Sequence, residues 1–492
     1  MRSSRRGSTA LLVAATVLTA AAAGPSRNER RLAQDLDRIF TAPAMEHGLW
    51  GVDVRSLDSR RVLYARNAGT LMMPASNLKI LTLAAAAESL GWDYRFKTTL
   101  ETVADVEDGA LKGDLIVRGT GDPTINGRDG RAAAVFDSWA ASLRAAGITR
   151  IDGGVVADDS AFDRTGIGQG WSWDYLQDGY AAPAGALEYN ENVGTVTVRP
   201  GAMAGDQAAI ELTPLVGLQL LHRVVTGDAG STTAVTVTRQ ADAAALEIGG
   251  SIAAGAPPLT RQVAVANPAR YFAHSLLLAL VDRGIAVRGL PVEIQEWQYR
   301  VAQLPRRVLV ETSSPPLREI ATTMMKVSQN LYAETLLRAM GAARSGKPGS
   351  ADAGIEAARA VFTAWGVAPD GYVQVDGSGL SRYDYVTAET IVAVLEHLHA
   401  DPRHEAAFAS TLAIAGKDGT VASRMKATRA EANAIAKTGS ISNVRALSGY
   451  VRTRDGETLA FSILANSFAI PAATVNYITD LAVERLANHR NR

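Results

Sequence analysis

The stretch MMPASNLKILTLAAAAESLGW, residues 72–92, decides the fold because it joins a possible reactive pair to a buried helix. Ser76 and Lys79 stand three positions apart at the head of a run rich in Leu and Ala. With Ser76 as N-cap and Gly91 as the stop, the pattern predicts a helix of about four turns. Residues three apart share a helix face, with roughly 5–6 Å between their Cβ atoms. Two interpretations follow: a helix cap beside a stray surface charge, or a nucleophile beside its base.

Lys79 can act as a base only if its surroundings lower its pKa. An ordinary lysine has a pKa of about 10.4, and burial or a second nearby cation lowers that value. The apolar run places Lys79 toward the interior, where burial of an unpaired charge is costly. The same spacing recurs at Ser423 and Lys426, where a charged surface segment is the simpler interpretation. The catalytic interpretation therefore requires a second cation near Lys79.

Two shorter motifs follow later in the chain. In KVSQNLYAE, Ser328 and Asn330 fall between two predicted helices, so their side chains can enter a cleft from a turn. The alternative is a helix N-cap at one of the two. In AIAKTGSIS, Lys437, Thr438 and Gly439 lie on a predicted strand. Lys437 supplies the second cation, and Gly439 allows another backbone to approach closely; the alternative for Lys437 is a lysine on an edge strand.

Composition excludes several classes of function. The 492 residues, 47% of them hydrophobic, are enough for several domains. Lys plus Arg equals Asp plus Glu at 50 each, and no basic stripe is present, so we expect no nucleic-acid partner. The absence of cysteine excludes disulfides and thiolate chemistry. The seven histidines are scattered without the spacing of zinc ligands, so we expect no metal and no other cofactor.

Residues 1–23 have the order of a signal peptide: a basic start, an apolar stretch and small residues before Gly24. This order predicts export and a periplasmic location. The alternative is an uncleaved N-terminal anchor, and peripheral association of the mature chain with the membrane stays open.

The rest of the chain divides by its pattern. Strand-like segments separated by Gly, Asp and Pro turns predict a β-rich insertion over residues 96–294, with room for more than one subdomain. Helical and hairpin patterns fill residues 24–95 and 295–492. The two flanking parts therefore predict one discontinuous α+β domain.

The order Ser-x-x-Lys, Ser-x-Asn, Lys-Thr-Gly, each on the element its chemistry requires, is the signature of penicillin-binding proteins and serine β-lactamases. The long insertion after the first motif distinguishes a branch. With it, the chain resembles the D-alanyl-D-alanine carboxypeptidase/endopeptidase family typified by penicillin-binding protein 4 (peptidase family S13). Further segments that carry the resemblance are RGTGDPTI (118–125), ADDSAFD (157–163), GWSWDYLQDGYAAPAGALEYNENV (170–193), VDGSGLSRYDYVT (375–387) and AGKDGT (415–420).

The resemblance implies a transpeptidase-like (serine β-lactamase-like) domain, an antiparallel sheet flanked by helices, interrupted by two smaller domains of which one is nested in the other. It implies that Ser76 is the acylated nucleophile and Lys79 its general base. Ser328 and Lys437 would pass the proton to the leaving D-alanine amine, and Asn330 would hold the substrate amide.

The substrate implied by the resemblance is a peptidoglycan stem peptide lying antiparallel along the Lys437 strand, with β-lactam antibiotics as covalent inhibitors. Lys437 and Thr438 would bind its terminal carboxylate, and the N–H groups of Ser76 and Ser440 would form the oxyanion hole. For Arg382, the alternative to a substrate contact is a salt bridge within its loop. The residues that this comparison implies for substrate binding are Thr438, Gly439, Ser440, Arg382, Tyr180 and Asp174.

Two rival functions remain at this stage. A β-lactamase or related esterase would need fast deacylation, for which class A enzymes use an additional glutamate that this insertion does not reveal. A catalytically inactive, peptidoglycan-binding scaffold would be expected to have lost part of the motif set. All six motif side chains are present: Ser76, Lys79, Ser328, Asn330, Lys437 and Thr438.

Overall fold

The structure is a computed structural model that describes residues 24–128, 130–213, 219–239, 245–297 and 304–490. The predicted signal peptide, residues 1–23, lies outside these ranges. Within them, no helix has both the length and the apolar character that a membrane span requires.

The chain begins with the first part of the predicted catalytic domain. Its four elements are α1 (Arg27–Phe40), β1 (Leu49–Ser56), β2 (Val62–Arg66) and α2 (Leu78–Leu90). Gly91, at φ +81°, ends α2 as predicted. The predicted N-cap was wrong: Ser76 lies inside a 3₁₀ turn, Ala75–Asn77, and α2 begins after it. This turn projects the serine beyond the helix end.

The insertion follows α2, and its described residues contain two α-helices that the strand-like pattern did not predict. In α3, Val135, Phe136, Trp139 and Leu143 are buried at helical spacing. The elements are β3 (Lys97–Thr102), β4 (Val106–Glu107), β5 (Ala110–Leu111), β6 (Leu115–Gly119), α3 (Arg131–Ala145), β7 (Arg150–Ile151), β8 (Val155–Asp158), β9 (Val193–Arg199), β10 (Ala209–Thr213), β11 (Gln219–Gly227), β12 (Ala234–Arg239), β13 (Ala245–Ala253), β14 (Leu259–Ala264), α4 (Pro268–Asp282), β15 (Ala286–Val287) and β16 (Val292–Glu293).

Among the described residues of the insertion, two large hydrophobic cores stand out. Strands β9 to β14 enclose one of them, which includes Val196 and Ile248. Helices α3 and α4 pack with the other strands around the second, which includes Trp139 and Phe272. The chain passes from the second core into strands β9 to β14, which we call the nested unit, and back again.

The chain leaves the insertion later than the sequence indicated. Strand β17 (Arg307–Ser313) pairs antiparallel with β3, from Arg307 opposite Thr102 to Ser313 opposite Lys97. The predicted return at residue 295 therefore precedes a strand that still belongs to the insertion's sheet. This pairing joins residues about two hundred positions apart, which a local pattern cannot reveal.

The remaining elements complete the catalytic domain. They are α5 (Leu317–Lys326), α6 (Asn330–Ser345), α7 (Ala351–Ala364), β18 (Tyr372–Val373), β19 (Tyr385–Val386), α8 (Ala388–Ala400), α9 (Glu405–Thr411), β20 (Ala413–Ile414), β21 (Ile435–Ile441), β22 (Val444–Arg452), β23 (Thr458–Asn466) and α10 (Ala472–Ala487). A six-stranded antiparallel sheet runs in the order β2-β1-β23-β22-β21-β20. The predicted α+β class with a helix-flanked antiparallel sheet is confirmed.

Helices cover both faces of this sheet. Residues of α1 and α10, among them Leu36 and Val483, pack on one face. The central helix α2 packs on the other face with α6 and α8, and all its residues from Leu78 to Ala87 are buried. Burial on every side explains why α2 is mostly apolar and why Lys79 lies in the interior.

The edge of the sheet near α2 is open to a ligand. Strand β20 pairs with β21 only at Ile435 and Ala436. From Lys437 to Ile441, no strand of the described residues covers the outer edge of β21. Its backbone groups can therefore pair with an added extended peptide.

Candidate active site

Three segments that are distant in sequence meet at this open edge: the turn before α2, the turn between α5 and α6, and β21. They enclose a cavity of about 410 Å³, and loop residues of the insertion form its opposite side. The lining residues are Ser76, Tyr175, Tyr180, Ser328, Asn330, Gly379, Leu380, Ser440, Ile441, Ser442 and Arg445.

Lys79 lies beneath Ser76 and is completely buried. Its Nζ is 2.9 Å from Ser76 Oγ, and it also contacts Asn330 Oδ1 at 2.6 Å and the Ser378 carbonyl at 2.7 Å. Burial lowers the pKa of Lys79 to about 7, against the opposing effect of nearby carboxylates. A substantial fraction of Lys79 is therefore neutral near pH 7 and able to accept a proton from the serine.

Lys437 is the second buried lysine of the site, and burial accounts for the lowered pKa of Lys79. The Nζ of Lys437 donates to Ser328 Oγ at 2.8 Å and to the Thr438 carbonyl at 2.7 Å. Burial holds the pKa of Lys437 well below its usual range, and the charge of Lys79 lowers it further. The two lysines thus oppose each other's protonation, as two like charges at one site must.

A buried loop supplies the carbonyl that accepts from Lys79. Asp376 accepts from the N–H groups of Gly379 at 2.6 Å and Ser381 at 2.8 Å, while Glu334 accepts from Ser378 N–H at 2.9 Å. These bonds hold the Ser378 carbonyl toward Lys79. This role of the 375–387 segment was not predicted. Its signal in the sequence is an acidic residue ahead of Gly-Ser-Gly, whose backbone N–H groups the carboxylate can bind.

Close packing around the nucleophile turn explains two glycines. A Cβ atom on Gly439 would lie 2.5 Å from the Pro74 carbonyl oxygen, and one on Gly379 would lie 1.9 Å from that of Ala75. The backbone that a Cβ on Gly439 would meet is therefore the protein's own turn. Ala75 itself has φ +46°, so the turn is strained.

Ser328 lies between two helices, as predicted, whereas Asn330 is the first residue of the second one, since α5 ends at Lys326 and α6 begins at Asn330. Neither is the N-cap, because Gln329 accepts from Leu331 N–H in that position. Ser328 has φ +65°, an uncommon conformation that turns its hydroxyl toward Lys437.

Thr438 and Ser440 follow Lys437 on the open strand. Thr438 Oγ1 donates to Thr420 Oγ1 at 2.7 Å. Ser440 is exposed and lines the cavity. Both residues are therefore next to the position that an added peptide would occupy.

The insertion contributes aromatic residues to the opposite side. The Tyr180 carbonyl accepts from Asn330 Nδ2 at 2.8 Å, and its side chain is 46% exposed in the cavity. Tyr175 packs edge-on against Tyr180, and its hydroxyl is 3.0 Å from Ser442 Oγ. Tyr175, Ser442 and Arg445 could not be predicted as lining residues, because which loop residues line the cavity depends on how the insertion folds over it.

Arg382 and Asp174 are not among the cavity-lining residues. Arg382 donates to the Ser442 carbonyl at 3.0 Å, and no carboxylate of the described residues forms a salt bridge with it. The alternative of a loop salt bridge is therefore wrong. Asp174 is exposed and accepts from the hydroxyl of Ser172.

One group of side chains in the described part of the chain has the spacing of metal ligands: Glu88, Asp401 and His404. Arg403 pairs with both carboxylates, at 3.1 Å and 2.7 Å. His404 Nδ1 accepts from Trp92 Nε1 at 3.1 Å. These mutual bonds account for the cluster without an ion.

A serine hydroxyl beside a buried lysine of lowered pKa, next to an open strand edge, defines a serine acyl-transfer enzyme of the penicillin-binding class. The D-Ala-D-Ala carboxypeptidase 3 (S13) family matches residues 32–488, and the chain belongs to this family. It is a serine-type D-Ala-D-Ala carboxypeptidase, which confirms the family and activity predicted from the motifs.

Individual relatives support this membership. A D-alanyl-D-alanine carboxypeptidase of Actinomadura sp. (strain R39) is 35% identical over 493 aligned positions, which cover 97% of this chain and 88% of that protein. The crystal structure of penicillin binding protein 4 (dacB) from Haemophilus influenzae is similar with a TM-score of 0.80 at 27% identity, over 91% of this chain and 98% of that one. A second structure of the Haemophilus protein, complexed with a β-lactam, has a TM-score of 0.74 at 26% identity, over 92% and 97% of the two chains.

Proposed function

We propose that this carboxypeptidase hydrolyses the terminal D-Ala-D-Ala bond of peptidoglycan stem peptides through an acyl-enzyme on Ser76, and that β-lactams trap it as a covalent adduct. The observation that carries the proposal is the 2.9 Å contact between Ser76 Oγ and a buried Lys79 whose pKa is near 7.

Acylation begins when neutral Lys79 takes the proton of Ser76 and the serine oxygen attacks the carbonyl carbon of the penultimate D-alanine. The carbonyl oxygen becomes negative and is stabilised by the N–H groups of Ser76 and Ser440. The C–N bond then breaks, leaving an ester on Ser76. Asn330 holds the substrate amide during these steps.

The departing D-alanine takes a proton through Ser328, which Lys437 contacts. The terminal carboxylate of the substrate binds Thr438 and Lys437, and this negative charge favours the protonated form of Lys437. A charged Lys437 in turn favours the neutral form of Lys79. Substrate binding thereby prepares one lysine as the acid and the other as the base.

Water completes the reaction by hydrolysing the ester, which returns the proton to Ser76. An endopeptidase reaction differs only in the amine that leaves, and the open edge of β21 accommodates either amine. Among the described cavity-lining residues there is no carboxylate that could activate water quickly. This supports a long-lived penicillin adduct over rapid β-lactam turnover.

We also propose that the protein works outside the cytoplasm, in the periplasm. The support is the signal-like order of residues 1–23 and the extracytoplasmic location of the wall polymer. N-terminal sequencing of the secreted protein tests this proposal: a start near Gly24 agrees with it, and a full-length cytoplasmic product contradicts it.

Intact-mass spectrometry after incubation with benzylpenicillin, followed by peptide mapping, tests the catalytic proposal. We expect one stable adduct, located on Ser76, and release of D-alanine from D-Ala-D-Ala peptides. Ser76→Ala is the control and should give neither. An unmodified protein with the antibiotic hydrolysed would favour a β-lactamase, and one with the antibiotic intact would favour an inactive scaffold.

A further inference from the structure

A strained turn of the insertion lies beside the Ser328 turn. Asn190, Glu191 and Asn192 have consecutive φ values of +49°, +56° and +55°. Asparagine tolerates this left-handed region, but a glutamate there is uncommon. Asn190 Nδ2 donates to the Val193 carbonyl at 3.1 Å and Asn192 Nδ2 to that of Pro183 at 2.9 Å. These bonds hold the turn in its strained form.

The turn directs the Glu191 carboxylate toward the catalytic domain. Arg128 Nη2 donates to its two oxygens at 2.7 Å and 2.9 Å, which fixes the carboxylate from the insertion side. Oε2 also accepts from Gln329 Nε2 at 2.8 Å. The Glu191 side chain is only 11% exposed, so water screens this contact little.

Gln329 is the middle residue of the Ser-Gln-Asn turn. Its Oε1 accepts from Leu331 N–H at 3.3 Å, so the same amide group caps α6 and contacts the insertion. Ser328 on one side of it has φ +65°, and Asn330 on the other side is bonded to the Tyr180 carbonyl. The insertion therefore contacts two neighbouring residues of a turn whose conformation is uncommon.

We propose that Glu191 is a positioning residue for the reaction. Acting through Gln329, it holds the turn so that Ser328 Oγ meets Lys437 and Asn330 Oδ1 meets Lys79. Glu191 touches neither substrate nor reacting atoms. The inference rests on the proposed roles of Ser328 and Asn330, and it gives the insertion a part in the chemistry.

Two substitutions of the same residue separate this role from a structural one. Glu191→Ala and Glu191→Gln both remove the charge that pairs with Arg128, but only Gln keeps an oxygen that can accept from Gln329. We expect Glu191→Ala to lower the second-order rate constant for acylation by benzylpenicillin about 10- to 100-fold, the cost of a displacement near 1 Å. Glu191→Gln should stay within about twofold of wild type, because the contact to Gln329 persists.

Gln329→Ala removes the other side chain of the contact between Glu191 and Gln329. We expect it to lower acylation at least as much as Glu191→Ala, because it removes the cap of α6 as well as the contact to Glu191. The double variant should lose little more than Gln329→Ala alone, because the contact to Glu191 is already absent. Should Glu191→Ala fail to fold, Gln329→Ala alone carries the test. The matched control is Glu293→Ala, a buried glutamate of the insertion that pairs with Arg164 and Arg270. It should lower the melting temperature without changing acylation.

Two results would overturn the positioning role: equal losses in Glu191→Ala and Glu191→Gln, or normal acylation of a folded Glu191→Ala. Additive losses in the double variant would also contradict it. A wild-type protein that is not acylated on Ser76 would instead contradict the proposed function itself, so the two failures are distinguishable.

Discussion

The two sides of the cavity are built differently. We call the side formed by the turn before α2, the Ser328 turn and β21 the catalytic wall, and the side formed by residues 171–192 the insertion wall. On the catalytic wall, Lys79 and Lys437 are completely buried and bonded to named side chains. On the insertion wall, the side chain of Tyr180 is 46% exposed, and its contact to Asn330 comes from the backbone.

This difference predicts which substitutions should change the acylation rate most. Buried polar groups interact in a low effective dielectric, where loss of one partner changes both the pKa and the geometry of the other. Exposed side chains on the insertion wall have water as a substitute partner. We therefore expect large kinetic effects on the catalytic wall, and small ones from exposed side chains of the insertion wall.

The largest effect should come from Lys79→Ala. A positioned general base contributes roughly 10²–10⁴-fold to a rate, so acylation by benzylpenicillin should slow by about that factor. Rapid-quench mass spectrometry measures the rate, and the melting temperature verifies folding. A normal acylation rate would show that the base is another group.

A change of pH should alter the protonation of Lys79, and with it the acylation rate, without any mutation. Because only neutral Lys79 accepts the proton and its pKa is about 7, the acylation rate should rise about tenfold per pH unit below pH 7 and level off above it. The expected change between pH 5 and pH 8 is thus on the order of 100-fold. An acylation rate that is constant over this pH range would show that Lys79 is not the general base.

Gly439→Ala should have an intermediate effect. The new Cβ would meet the Pro74 carbonyl at 2.5 Å and push the nucleophile turn away from β21. We expect acylation to fall about 10- to 100-fold and stability to fall by about 1–3 kcal/mol. The control is Gly249→Ala in the nested unit, where the nearest atom lies 3.5 Å away. Unchanged acylation in Gly439→Ala would mean that the turn has room to move.

The smallest effect should come from Asp174→Asn on the insertion wall. Asp174 is exposed and does not line the cavity, so D-alanine release from a stem peptide should change less than about twofold. A tenfold loss would restore the substrate contact predicted from the family resemblance and would weaken the distinction between the walls.

The fold and the centre of the site could be predicted because their signals are local. Lys79 stands in an apolar run, the Ser328 turn separates two predicted helices, and Lys437 lies on a short strand. Each of these patterns fixes an element and a face without knowledge of the rest of the chain. The order of the three motifs then supplied the class of fold.

The remainder depends on contacts between distant segments. The pairing of β17 with β3 and the approach of the Ser378 carbonyl to Lys79 leave no periodic pattern in either partner. The same holds for Arg382 and Asp174, whose loops fold against other loops. The helix α3 is different: its spacing was present in the sequence, but the surrounding strand-like segments concealed it.

The meeting of three segments at Lys79 has a consequence for how the enzyme matures. A nascent chain holds Ser76 and Lys79 early, receives Asn330 and Ser378 much later, and receives Lys437 only near its end. The serine therefore acquires its reactivity only when the C-terminal strand has joined the sheet. Penicillin would then label only complete molecules, and a chain that ends before β21 would remain unlabelled.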